Sequence, residues 1–337
     1  MTLAARLRSI FDGRQLGQTA FVLSPVLALS FITGDPVWLK AAVVTVSTFI
    51  AFERGHLAPL GVLLHAAAIL AGFLLLMLAL RVPALFVLAA ALLAAAAVWI
   101  STYDRKLRSV GNFTFIPALY IACETGENAP ASALAARAVE LLPYLAASAL
   151  PVFVLAVIHE LVSEPAARRE QNPFSLRRHG PDNEPIPVAE AVMAVVLAVA
   201  AAATLVEWGQ LEHGQWVIWS AASVVTGDAG AARLKLRDRA VGAFLGVPAG
   251  IGLGLLLPHG PIAYGMAVVA SLMTLVAFRF YLLGFGTRCA AIAAALVIAD
   301  QSTIIAAERV INVLIGGFVG VAFVLATHAV ARFFRPA

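Results

Sequence analysis

The chain has 337 residues, of which 61% are hydrophobic and only 12% charged. A soluble domain carries about a quarter charged residues, so a water-soluble globular protein is excluded, as is a disordered chain, which needs low hydrophobicity and high charge. The formal charge is only +4, and the two cysteines, Cys123 and Cys289, lie in different apolar runs, which excludes a disulfide framework and a cysteine-rich metal site.

Arg6, Arg8 and Arg14 precede the first apolar run. That run contains Pro25 and ends without a small-residue cleavage site, so it reads as a retained spanning helix. Residues 3–11 fit a short amphipathic surface helix or a solvated tail equally well. A spanning helix needs about 20 largely apolar residues. The candidate stretches are 17–33, 37–52, 57–80, 83–100, 113–122 and 138–158, then 191–206, 216–226, 240–257, 261–278, 282–299 and 310–330. The expected fold is therefore all-α, a polytopic membrane protein of about twelve transmembrane helices. Stretches 113–122 and 216–226 are short. They extend into their polar flanks or are broken, which is tolerated where backbone lines a cavity.

With the N-terminus in the cytoplasm and the helices alternating, only Lys40, Arg81, Arg137 and Arg309 of the 23 Lys and Arg fall on the outer side. That bias is the positive-inside pattern. It predicts both termini cytoplasmic, accounts for the positive charge without a nucleic-acid partner, and leaves the lipid bilayer as the chain's surroundings.

The polar, Pro- and Arg-rich stretch 162–187 reads as a cytoplasmic linker. It divides a six-helix unit, 1–161, from a second, 188–337. An even helix number per unit gives both the same orientation, so the repeats would be parallel. DPVWLKAAVVTVSTF and HGQWVIWSAASVVTG follow the first span of each unit and place Trp38 and Trp216 at the outer interface. The sixth spans open at Arg137 and Arg309.

A charge inside a membrane costs at least about 2.5 kcal/mol at a helix centre and faces a cavity or a partner. Arg309, Asn312 and Gly316 share one helix face, as do Arg137, Glu140 and Tyr144. Arginine suits a carboxylate because its planar fork donates two parallel hydrogen bonds. Arg309, Asn312, Arg239 and Arg137 are thus the candidate substrate-binding residues. The other reading is that the arginines anchor the helices at the interfaces, with Glu308 beside Arg309 able to neutralise it. Proton coupling needs a titratable group on the path, and Glu207, Asp300, Glu308 and His65 are the candidates. A lone histidine such as His65 is more often a packing residue. Gly242, Gly246, Gly250 and Gly254 recur every fourth residue, which favours close helix packing. Phe113, Phe115 and Tyr120 form an aromatic wall or contact lipid. No phosphate-binding GxxxxGK, no HExxH and no GxSxG occurs, so neither an enzyme nor a resident metal or cofactor is expected.

The stretch GQWVIWSAASVVTGDAGAARLKLRDRAVGAFLGVPAGIGLGLLL resembles the fusaric acid resistance-like family. The resemblance rests on a Trp-led helix (Trp216), a basic loop (Arg233, Lys235, Arg237), then Arg239, Gly242, Ala243 and Gly246 opening a Gly-rich helix. It continues in a last helix with Arg309 and Asn312. It covers residues 215–334; the first unit resembles the family in layout alone and lacks the Arg-x-x-Gly motif. Family members often have Thr in place of Ala243, and many carry a large cytoplasmic domain where this chain has only its linker. The resemblance implies movement of organic anions without settling pump against channel, and favours an inner-membrane exporter of organic anions such as aromatic carboxylates, driven by protons. A passive organic-anion channel and a non-transporting scaffold are the alternatives. Some relatives of the exporter type work with a periplasmic adaptor protein.

Overall fold

The computed structural model of the chain describes residues 9–127, 129–162, 175–178, 188–225, 228–300 and 302–334. The helices named among them are α1 (Gly13–Thr33), α2 (Val37–Gly55), α3 (Pro59–Ala79), α4 (Pro83–Trp99), α5 (Leu107–Gly126), α6 (Leu134–Val162), α7 (Val188–Gly209), α8 (Gln215–Val224), α9 (Ala229–Leu256), α10 (Pro261–Ala277), α11 (Tyr281–Ile298) and α12 (Thr303–Phe334). Each apolar stretch of the sequence lies on one of them. Helix starts follow local chemistry. Asp12 and Asp228 cap α1 and α9 by accepting from the Gln15 and Ala231 amides, and proline opens α3, α4 and α10. No strand occurs among the described residues, only isolated bridges.

Helices α1, α3, α4 with its 3-10 extension to Thr102, α6, α7, α9, α11 and α12 are long and apolar enough to cross a bilayer. They carry exposed Phe21, Leu64, Leu88, Leu245, Leu256 and Phe318, a surface suited to lipid. The chain is a multi-pass membrane protein. The two short stretches behave differently. Stretch 113–122 extends in both directions to give the 20 residues of α5. Stretch 216–226 gives only the ten residues of α8, about 15 Å of helix, half of a bilayer core. Trp216, Val217, Ile218, Ser220 and Ala221 of α8 are buried against α7 and α12, so its broken backbone meets protein.

The turns collect at two ends. At one, His213 in the α7–α8 turn pairs with Glu127 after α5 at 3.2 Å, and His259 after α9 stands 3.9 Å from Asp300 after α11. At the other, Ala58 donates to the Leu176 carbonyl and Arg178 to that of His56, which seats 175–178 on the α2–α3 turn. Arg177 Nη1 meets Asp104, in the α4–α5 turn, at 2.8 Å. Asp12 likewise donates to Ala277 and Arg279 to Ile10, joining the residues before α1 to the α10–α11 turn. The α2–α3 and α4–α5 turns thus meet through residues 175–178 at one end. The expected linker 162–187 and surface helix 3–11 otherwise lie mostly outside the described residues, as do Arg6, Arg8, Arg168, Arg169 and Arg335.

Neighbours repeat along the chain. α3 packs on α5 and α6 while α9 packs on α11 and α12, and α2 packs on α6 while α8 packs on α12. Helix α4 meets α7, and α10 meets α1. The glycine stripe of α9 does what its spacing predicts. A Cβ at Gly246 would collide with the Gly286 carbonyl, and one at Gly250 with that of Ala290, so α9 and α11 touch backbone to backbone. Gly316 and Gly320 of α12 lie against the Val217 and Ala221 carbonyls of α8 in the same way.

Candidate functional site

These two close contacts build a site between α8, α9, α11 and α12. The α9–α11 contact lays the Arg239 guanidinium 4.3 Å from the Phe285 ring centroid, and the α8–α12 contact lays that of Arg309 3.5 Å from the Trp216 ring centroid. Ser220 of α8 joins them. Its hydroxyl donates to the Val313 carbonyl at 2.6 Å and accepts from Arg239 Nε at 3.3 Å. Arg239 Nη1 also donates to the Tyr281 hydroxyl at 3.1 Å. Arg288 of α11 donates to Thr274 through Nε, at 3.1 Å to the hydroxyl, and Lys235 Nζ lies 5.4 Å from the Tyr281 ring centroid.

Arg239 and Arg309 are each 3% exposed, and Arg288 and Lys235 are half-buried. Arg239 stands in Coulombic range of both other arginines. Among the described residues no carboxylate pairs with any of the three. The neighbouring acids are turned elsewhere: Asp238 pairs with Arg237 at 3.0 Å, and half-exposed Glu308 makes no ion pair with Arg309. Arg309 Nε and Nη1 are buried without a well-formed hydrogen bond, the Cys289 thiol standing beside the guanidinium. A buried cation without a counter-charge costs several kcal/mol, and the Trp216 face returns only about 2. The site is short of negative charge. A planar anion placed against Arg309 would supply both the charge and the missing acceptors.

Asn312, 6% exposed, donates from Nδ2 to the Glu212 carbonyl at 3.1 Å, so it ties α12 to the α7–α8 turn. Arg137 does not join Arg309. It is exposed at the start of α6 and donates to the Thr125 carbonyl at 3.3 Å. Farther along α6, Tyr144 bonds Asp35 at 2.8 Å and packs on Trp38. Glu207 is half-buried and lines a cavity at the end where His213 meets Glu127. Asp300 is exposed and Glu308 half-exposed, away from the arginines. His65 is 4% exposed in α3, its ring near the Val110 and Phe113 carbonyls without a well-formed hydrogen bond. Of the expected aromatic wall, Tyr120 reaches Trp216, with ring centroids 5.8 Å apart, and Trp216 stacks on Trp219.

Sequence reasoning overlooked Arg288, Ser220 and Tyr281. The signal for Arg288 is its place inside LLGFGTRCAAIAAALV, an apolar run.

A helical membrane protein with a buried arginine cluster is the class that fold and site define. Residues 192–323 match the family model described as fusaric acid resistance protein-like. The matched residues include every member of the arginine site, and the family they resemble is one of membrane proteins implicated in transport and efflux. No curated protein and no solved structure matches the chain.

Proposed function

We propose that the chain exports organic anions such as aromatic carboxylates across the inner membrane, with the anion passing Arg309 and Arg239, and that the flux is coupled to protons. The buried Nε and Nη1 of Arg309, without a well-formed hydrogen bond, carry this reading. A carboxylate accepts two parallel hydrogen bonds from such a fork, and Trp216 with Tyr120 offers an aromatic face to the rest of the molecule. Glu207 is the candidate proton carrier best positioned, because it lines a cavity near the tie between Asn312 and the α7–α8 turn. We take both termini as cytoplasmic, and 1–161 and 188–337 as parallel repeats. The recurring neighbours of α3 and α9, and of α2 and α8, support that layout.

Flux of benzoate in proteoliposomes, with and without an imposed pH gradient, tests this reading. Uphill movement driven by the gradient is the expected result. Downhill movement indifferent to pH would favour a passive anion channel, and no movement in wild type would favour a scaffold.

A further inference from the structure

Two cations of α9 stand in register with two rings of α11. Lys235 and Arg239 are one helical turn apart on a shared face of α9, as Tyr281 and Phe285 are on α11. The Lys235 ammonium lies 5.4 Å from the Tyr281 ring centroid and the Arg239 guanidinium 4.3 Å from that of Phe285. The two rings stack with centroids 6.0 Å apart and planes at 19°. The glycines of α9 set this register. A Cβ at Gly242 would press on Phe285, and one at Gly246 would strike the Gly286 carbonyl.

Like charges one turn apart on a helix repel each other. No acid among the described residues relieves the pair. Asp238 is turned to Arg237, Asp228 accepts from the Ala231 amide, and neither forms an ion pair with Lys235 or Arg239. The row of cations continues in both directions. Arg108, at the start of α5, donates to the Val225 carbonyl and stands in Coulombic range of Lys235, while Arg239 stands in that range of Arg309. Lys235, Arg239 and Arg309 are thus each held by an aromatic face and by no carboxylate. The row is reached from one end. Tyr281 is 39% exposed and Lys235 half-buried, and Arg239 lies buried behind them.

We propose that Lys235 and Arg239 form an outer anion subsite, entered beside Tyr281 from the end that carries the α8–α9 and α10–α11 turns, where a carboxylate docks before it reaches Arg309. The subsite rests on the anion-transport reading of Arg309 and adds an order of binding to it. The Tyr281 hydroxyl holds the place of the anion: it accepts from Arg239 Nη1 at 3.1 Å, and an entering carboxylate oxygen takes over that bond. Lys235 Nζ supplies the second donor. Arg239 Nε keeps its bond to Ser220, which is tied to Val313 on α12, so the guanidinium stays oriented during the exchange.

A thiol at the subsite reads its field without any transport. Tyr281→Cys in a Cys123→Ala, Cys289→Ala background leaves one cysteine. The purified protein is treated with the anionic sulfonatoethyl methanethiosulfonate or its cationic trimethylammonioethyl counterpart. Labelling rates are read by mass spectrometry, each normalised to the reagent's rate with mercaptoethanol. A cleft lined by one sign of charge concentrates the opposite ion by about tenfold or more, so the anionic reagent is expected to react at least about tenfold faster. Benzoate should slow it, and adding Lys235→Gln should shrink the preference. In proteoliposomes, Lys235→Gln should raise the KM for benzoate about tenfold, the loss of one charge-assisted hydrogen bond, while Tyr281→Phe should lower it by removing the competing acceptor. No preference for the anion, a preference that survives Lys235→Gln, or no labelling by either reagent overturns the subsite whether or not the protein moves benzoate. A KM raised by Tyr281→Phe overturns the exchange at Arg239. An anion preference that Lys235→Gln removes, in a protein that moves no benzoate, supports the subsite and counts against export alone.

Discussion

The Arg309 guanidinium sits over Trp216, 3.5 Å from the ring centroid, with Nε and Nη1 buried and without a well-formed hydrogen bond. The pairing joins a cation from α12 to an aromatic face from α8. It exists because Gly316 lets the two helices touch. An arginine held by a ring rather than by a carboxylate keeps its donors for something else.

That arrangement separates function from stability. Replacing a buried, unpaired ion with an apolar residue of similar volume is often neutral or stabilising. Arg309→Met is expected to keep or raise the melting temperature in detergent while lowering benzoate flux at least about tenfold, the loss of one charge-assisted hydrogen bond. Arg309→Lys should also lose most flux, because an ammonium has neither the fork nor the planar face. A melting temperature that collapses in Arg309→Met would make the residue structural.

The α9 stripe gives a graded test within one helix. Gly250→Ala places a methyl group into the Ala290 carbonyl of α11, and Gly252→Ala meets nothing within 4 Å. Overpacking costs about 1–3 kcal/mol, while alanine in place of a helical glycine with open space beside it gains about 0.5–1. Thermal unfolding should therefore fall for Gly250→Ala and hold or rise for Gly252→Ala. Equal behaviour of the two would mean that the α9–α11 contact does not limit stability.

The helices were legible in the sequence because twenty apolar residues in a row have few alternatives, and the α9 stripe because its four-residue period is a helix property. Arg309 was legible as a charge at the edge of an apolar run. Arg137 looked equivalent by order along the chain, yet it is exposed, since a marker's position says nothing about which face it turns. Ser220 bridging Arg239 and Val313, and His213 meeting Glu127, depend on segments far apart in sequence, and no local spacing encodes them.

His213 supplies a pH test. Its hydrogen bond to Glu127, with Glu124 and Glu212 adding to the field, raises its pKa above the ordinary 6.5. A raised folded-state value means that the pairing contributes fully below the unfolded pKa and is lost as pH rises through the folded one. His213→Gln should therefore lower the melting temperature relative to wild type at pH about 5.5, and the gap should close well above 6.5. A gap independent of pH would show that the ion pair is not what joins the α7–α8 turn to α5.

The opposite end of the molecule rests on Arg177. Asp104 has a fully buried side chain, and Arg177 reaches it at 2.8 Å while its Nε donates to the Gly55 carbonyl at 3.1 Å. Two turns, α2–α3 and α4–α5, are thereby held by one residue of the 175–178 segment. Removing one partner of such a buried pair costs about 3–5 kcal/mol. Arg177→Met is expected to destabilise strongly, and adding Asp104→Asn should recover part of the loss by removing the charge that Arg177 had paired. Asp104 also accepts from the Lys106 amide at 2.7 Å, which asparagine can retain, so the rescue isolates the charge from the turn geometry. Melting curves of the two single variants and the double variant read the coupling; strictly additive losses would mean that the Arg177–Asp104 ion pair does not seat the segment.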